Sequence, residues 1–158
     1  MARFFTYSWR YAETRKEPEG APLAHAAGSK FSARGIEPGD FVYITAVHHG
    51  RLYLLGRLEV GAIVDKDEAR RLFGAEPYDA PEHLVARSCS PAQLAEVPLA
   101  LVKELRFAGG SRLAFRDDNT LDPQTLRSIR ELDAESAARL DALTGEMALF
   151  VPPGQQAG

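Results

Sequence analysis

"KFSARGIEPGDFVYITAVHHGRLYLLGRLEV", Lys30 to Val60, sets a "GIEPGD" turn ahead of two apolar runs joined by a histidine pair and a glycine. Pro38 and Gly39 suit the central positions of a type II turn, because proline presets φ and glycine accepts the positive φ required next. A strand is then expected at once. Phe41, Tyr43, Thr45 and Val47 alternate with Val42, Ile44 and Ala46, so both faces are largely apolar and the strand should be covered on both sides. "HHG" reverses the chain, and "LYLLGRLEVGAIV" returns as a long strand whose Gly56 and Gly61 mark bulges or corners. A long, bent central strand favours a closed or half-closed barrel over a flat sheet.

Upstream, "RFFTYSW" (Arg3–Trp9) is aromatic with period-two alternation, placing Phe5, Tyr7 and Trp9 on one face of a first strand. Tyr11 to Ser29 carries Pro18, Gly20, Pro22 and Gly28 with few apolar anchors and reads as a long loop, a kind of segment that is often functional. Downstream, Asp65 caps a short helix with Glu68 as its box partner and Gly74 as its stop. "EHLVARS" and "RLAFR" read as strands, "SPAQLAEV" as a helical turn and "PLALVKELRF" as a helix to about Glu104 with extended chain after it. Asp122 and Asp133 cap two further helices, whose apolar residues share faces: Leu126 with Ile129, and Ala137 with Leu140 and Leu143. The class is α+β, one unit over residues 1–151, with a disordered tail at 152–158.

With 158 residues and 45% hydrophobic content, the chain suffices for one domain with a real core. The longest apolar runs, such as Leu99 to Val102, fall far short of the ~20 residues that span a bilayer. The N-terminus lacks the apolar centre of a secretory signal, so a cytoplasmic protein without membrane contact is expected. Cys89 is the single cysteine, which leaves no internal disulfide and no thiolate set for zinc. The net charge of −3 divides unevenly: residues 1–35 carry six basic and three acidic side chains, so an anion could be bound there despite the acidic total.

Few residues suggest chemistry. His48 and His49 are adjacent and lack further ligands at metal-binding spacing, so they read as turn residues. His25 and His83 connect to no nucleophile. Cys89 has no base nearby in sequence, and the Asp117–Asp118 pair belongs to the turn "RDDNT". Phosphate-loop, nucleophile-elbow and zinc-protease motifs are absent, and no cofactor or metal is expected. What remains is an aromatic and basic group: Tyr7, Trp9 and Tyr11 on one period-two face beside Arg10 and Arg15, and then Lys30, Phe31 and Arg34 of "GSKFSARG". Aromatic faces stack on bases and cationic groups hold phosphates, so the combination suits nucleic acid. The alternative is that Tyr7 and Trp9 are simply core residues.

"FFTYSW", "GSKFSARG", "PGDFVYI" and "LLGRLEV" together resemble the PUA-like superfamily, in particular its EVE and ASCH branches, over about the first 65 residues. That resemblance implies a mixed, mostly antiparallel β-pseudobarrel with short flanking helices, and a pocket beside the first strand that binds RNA or DNA with a modified or extruded base. By position, Trp9 would sit near the pocket mouth, Ser29, Lys30 and Phe31 on its rim, and Arg34 toward phosphate; Tyr7 and Arg10 join them as binding candidates from the aromatic and basic group itself. The tryptophan-rich loop typical of EVE domains is missing. The ASCH branch also implies an alternative, a small ribonuclease using Lys30, Arg34 and Tyr7 or Tyr43. A third reading makes the C-terminal helical pair, outside the common core, a docking surface for a protein partner.

Overall fold

The computed structural model describes residues 1–75, 77–116 and 118–156. In chain order its elements are β1 (Phe4–Ser8), α1 (Tyr11–Thr14), β2 (His25–Gly28), β3 (Phe41–His48), β4 (Arg51–Val64), α2 (Lys66–Phe73) and β5 (Glu82–Cys89). Then follow β6 (Ala95–Glu96), α3 (Leu99–Glu104), β7 (Ile129–Leu132), α4 (Ala134–Asp141) and β8 (Ala148–Leu149).

The Pro38–Gly39 turn forms as its residues require: Gly39 sits at φ +94° and the Asp40 amide donates to Glu37 O at 3.0 Å. The Asp40 side chain explains why aspartate closes the turn. Its carboxylate accepts the Glu37 amide at 2.8 Å and the Arg3 amide at 2.9 Å, while Phe41 N donates to Arg3 O at 3.0 Å. The turn and the start of β1 are thereby tied together, and β1 runs parallel to β3 from Phe4↔Phe41 to Ser8↔Thr45. Asp40→Ala removes two hydrogen bonds to a nearly buried charge and is expected to lower stability by about 2–4 kcal/mol, read by urea unfolding.

His49 (φ +51°) and Gly50 (φ +73°) form a two-residue hairpin turn with positive φ at both positions, as strand twist demands. A Cβ on Gly50 would stand 2.3 Å from Thr120 Cβ, so the turn also admits that residue only without a side chain. The antiparallel β3–β4 ladder shifts register between Ile44 and Thr45, opposite Leu54–Gly56, and the β4–β5 ladder shifts again on both sides of Val60. The first bulge has a packing consequence. Leu52 and Leu54 face one core, whereas Leu58 and Val60, of the same parity, face the other. β4 thus serves both faces of the sheet.

The sheet has the order β2-β5-β4-β3-β1-β7, with β6 paired to β4 and β8 to β5, and the β1–β3 pairing is parallel in an otherwise antiparallel set. One face buries Phe5, Phe31, Val42, Ile44, Leu58 and Leu84; the other buries Tyr43, Leu54, Leu105, Leu132 and Leu140. β3 is therefore covered on both sides, as its composition requires.

The sheet does not close into a barrel. The outer edge of β1, which closure would require for β2, is occupied by antiparallel β7 from Phe4↔Leu132 to Tyr7↔Ile129. That pairing also overturns the expected C-terminal helical pair. Residues 123–126 form only turns, Ser128 adopts φ +68°, and Ile129–Leu132 is a strand. The i, i+3 spacing of Ile129 and Leu132 imitates a helix face. In a strand it sends the two side chains to opposite faces, and here each enters a different core. α4 does form, with Asp133 accepting the Ser136 amide at 2.8 Å, and it buries Ala137 and Leu140.

Elsewhere α2 has its Asp65 cap and left-handed Gly74, and α3 ends at Glu104 with Leu105 extended. "SPAQLAEV" makes no helix, because residues 95–96 pair with β4 instead. "RLAFR" contributes only the Phe115↔Leu121 bridge. The long Tyr11–Ser29 loop contains α1 and β2. The tail expected to be unstructured turns at Pro153–Gln155 against α2; residues 157 and 158 lie outside the described set. No helix among the described residues is long and apolar enough to cross a membrane.

Candidate functional site

β2 pairs with β5 along one edge only, and its other edge faces the end of β1 across a gap. Ala24 O accepts from Ala86 N of β5, so backbone alternation turns Ala27 O to the unpaired edge, where it accepts the Tyr7 hydroxyl at 2.7 Å. This bond takes the place of a ladder. Beyond it, Trp9 is held by its amide on Thr45 O at 2.8 Å, and α1 begins two residues later.

The gap opens into a cleft of two lobes. The first, about 350 Å³, is lined by Tyr7, Ser8, Trp9, Arg10, Glu13 and Tyr78. The second, about 320 Å³, adds Glu17, His25, Phe73 and Phe150 to the shared walls Trp9, Ala27 and Tyr78. Both lie at the small end of the usual range for ligand sites. Tyr78 is 60% exposed, yet its hydroxyl donates to Glu13 Oε2 at 2.9 Å, which fixes the ring as a wall. Lys16 donates to the other Glu13 oxygen at 3.1 Å, and these two hydrogen bonds hold the Glu13 carboxyl below its ordinary pKa. Burial raises the Tyr7 phenol, so this residue is a neutral hydrogen-bond donor. Arg10 is exposed at the lip. At the start of α1, Tyr11 stacks on His48 at 3.9 Å and His48 on His49 at 3.9 Å, a row of rings that lines neither lobe.

A histidine pair supports the second lobe. His83, with no exposed surface, approaches Ala80 O through Nε2 at 2.9 Å and His25 Nε2 through Nδ1 at 2.7 Å. A carbonyl only accepts, so His83 Nε2 carries its proton; neutral His83 then accepts at Nδ1, and His25 donates from Nε2. Burial, and then the electrostatic influence of the neighbouring His83 ring, push the His25 pKa down to about 4 from 6.5. The unfolded chain takes up a proton that the fold resists, so stability is full above pH 6.5 and declines as pH falls toward 4. Unfolding midpoints at about pH 7.5 and about pH 5 should differ less in His25→Asn than in the parent chain.

The expected site residues thus separate. Tyr7, Trp9 and Arg10 meet at the cleft. Phe31 is fully buried in the core, its ring 5.0 Å from Tyr7 in an edge contact, so it stands behind Tyr7 and not on a rim. Ser29, Lys30 and Arg34 are exposed and line neither lobe, and Arg34 stands instead by Arg130 and Glu131. The turn from Lys30 to Gly35, with Arg34 N on Lys30 O at 3.0 Å, carries Phe31 inward and its neighbours outward. Tyr43, a candidate for ribonuclease chemistry, has no exposed surface and donates to Asp141 Oδ1 at 2.5 Å, beyond reach of a substrate. Glu13, Glu17, His25, Phe73 and Tyr78 were not expected at the site. Only the β2–β5 register, which sets Ala27 opposite His83 and His25 opposite Val85, brings the two histidines together as diagonal neighbours.

Cys89 is buried beside Leu23, and burial pushes its thiol pKa up. Asp118 binds the amide and hydroxyl of Thr120 within its own turn; Asp117 lies outside the described residues. No group of three or more metal-ligating side chains is found among the described residues. No protein-family model and no curated protein matches the chain.

Proposed function

We propose that this chain is a nucleic-acid-binding module of the PUA-like type, an opened form of that pseudobarrel, and that it accepts an unstacked base of RNA or DNA in the cleft beside Trp9. The observation that carries the reading is the cleft itself. It lies where the sheet fails to close, Trp9 and Tyr78 wall both lobes, and Arg10 stands at the lip. Aromatic walls suit the faces of a base and a lip arginine suits the phosphate that follows it. Arg15 and Lys16, exposed in the segment that follows Arg10, add charge that favours a polyanion, Lys16 from its pair with Glu13 of the first lobe. The third reading, docking through a C-terminal helical pair, is not favoured by a specific observation: the segment before α4 is β7, and α4 buries Ala137 and Leu140 in the core.

Anisotropy with labelled single-stranded RNA, single-stranded DNA and a duplex carrying a modified base tests this at low salt. Saturable binding that weakens as salt rises is expected. No association with any of the three overturns the reading.

A further inference from the structure

The second lobe differs in chemistry from the first. Trp9, Phe73, Tyr78 and Phe150 give it apolar walls, and no lysine or arginine among the described residues lines it. Its polar side chains include Glu17 and His25. The Glu17 carboxylate has no side-chain partner among the described residues, and burial raises its pKa, as for a charge short of compensation. His25 has its Nε2 hydrogen committed to His83, which leaves the Nδ1 lone pair as its remaining polar function. Among the described residues that atom has no partner, and the His25 ring lines the lobe. A lobe with two unused acceptors and a flat apolar interior asks for a planar ligand bearing hydrogen-bond donors.

We propose that the second lobe reads the exocyclic amino group of the bound base, with Glu17 and His25 Nδ1 each accepting one of its two N–H hydrogens. This rests on the base-binding reading above and adds a preference to it: cytosine and adenine should be taken, whereas uracil and hypoxanthine present a carbonyl oxygen to two acceptors. His83 is a positioning residue in this scheme. By donating to Ala80 O it fixes the tautomer that leaves His25 an acceptor.

Trp9 is the only tryptophan, so its indole N–H gives one NMR resonance next to both lobes. Titrating the full chain with cytidine, uridine, adenosine, inosine and N4,N4-dimethylcytidine should shift it with cytidine and adenosine about tenfold tighter than the others. Glu17→Gln, which removes no protein contact, should bring the cytidine to uridine ratio toward one. Equal affinities for all five nucleosides overturn the amino-group preference and leave base binding standing. A shift with n-butylammonium and none with any nucleoside overturns the base assignment as well, because the lobe then reads an alkyl cation. No shift with any probe overturns both.

Discussion

Trp9→Ala is expected to weaken binding of single-stranded nucleic acid by about 5- to 100-fold, the loss that follows from removing one base–aromatic stack. Trp9→Phe keeps an aromatic face and should recover most of the affinity, which separates stacking from folding, since Trp9 also packs against the core. Lys30→Ala and Arg34→Ala make the contrast informative. Both residues are exposed and lie outside the cleft, so each should change affinity by no more than the loss of one distant charge, and less as salt rises. Equilibrium anisotropy on the four variants is the measurement. Retained binding in Trp9→Ala with loss in Lys30→Ala would move the site to the turn.

The largest stability effect is expected at Asp141. This carboxylate sits in the last turn of α4, where the helix dipole disfavours a negative charge, and is held there by an ion pair with Arg57 and by the Tyr43 hydroxyl at 2.5 Å. Burial, and then the Asp141 carboxylate, hold the Tyr43 phenol pKa well above its ordinary value, while Arg57 opposes them. Arg57 enters from β4 just after the bulge, opposite Tyr43, with its side chain 18% exposed and Nε already unpaired. Asp141→Ala therefore strands a half-buried guanidinium and a buried hydroxyl together. Breaking such a pair costs about 3–5 kcal/mol, and the lower half of that range applies because Asp141 keeps 32% exposure. Tyr43→Phe, which leaves the ion pair intact, should cost about 1–2 kcal/mol. Arg57→Met combined with Asp141→Leu should recover part of the single-variant loss in urea unfolding. A loss for Asp141→Ala no larger than for Tyr43→Phe would show that the ion pair does not hold α4 to the sheet.

Elements with local chemistry were legible in the sequence. The Pro38–Gly39 turn, the His49–Gly50 reversal, the Asp65 and Asp133 caps and the bulges of β4 each follow from residues within a few positions of one another. β7 was not legible, because Leu126, Ile129 and Leu132 keep helical spacing, and only the vacant edge of β1 makes the last two strand residues. β2 was missed for the opposite reason: "HAAG" has little side chain to alternate, and its pairing with β5 decides its conformation. Period-two alternation along β1 placed Tyr7 and Trp9 together, and they do share the cleft. Lys30 and Phe31 were adjacent in sequence but are divided by a turn that buries one and exposes the other. The His25–His83 contact spans 58 residues and no pattern within either strand announces it.

Trp9 emission during titration with single-stranded oligonucleotides at low salt tests the central claim most directly, because the sole tryptophan is a wall of both lobes. The cleft reading predicts a saturable change in emission that tracks anisotropy of the labelled strand and is reversed by salt. Strand binding with unaltered Trp9 emission, or no binding at all, would contradict it.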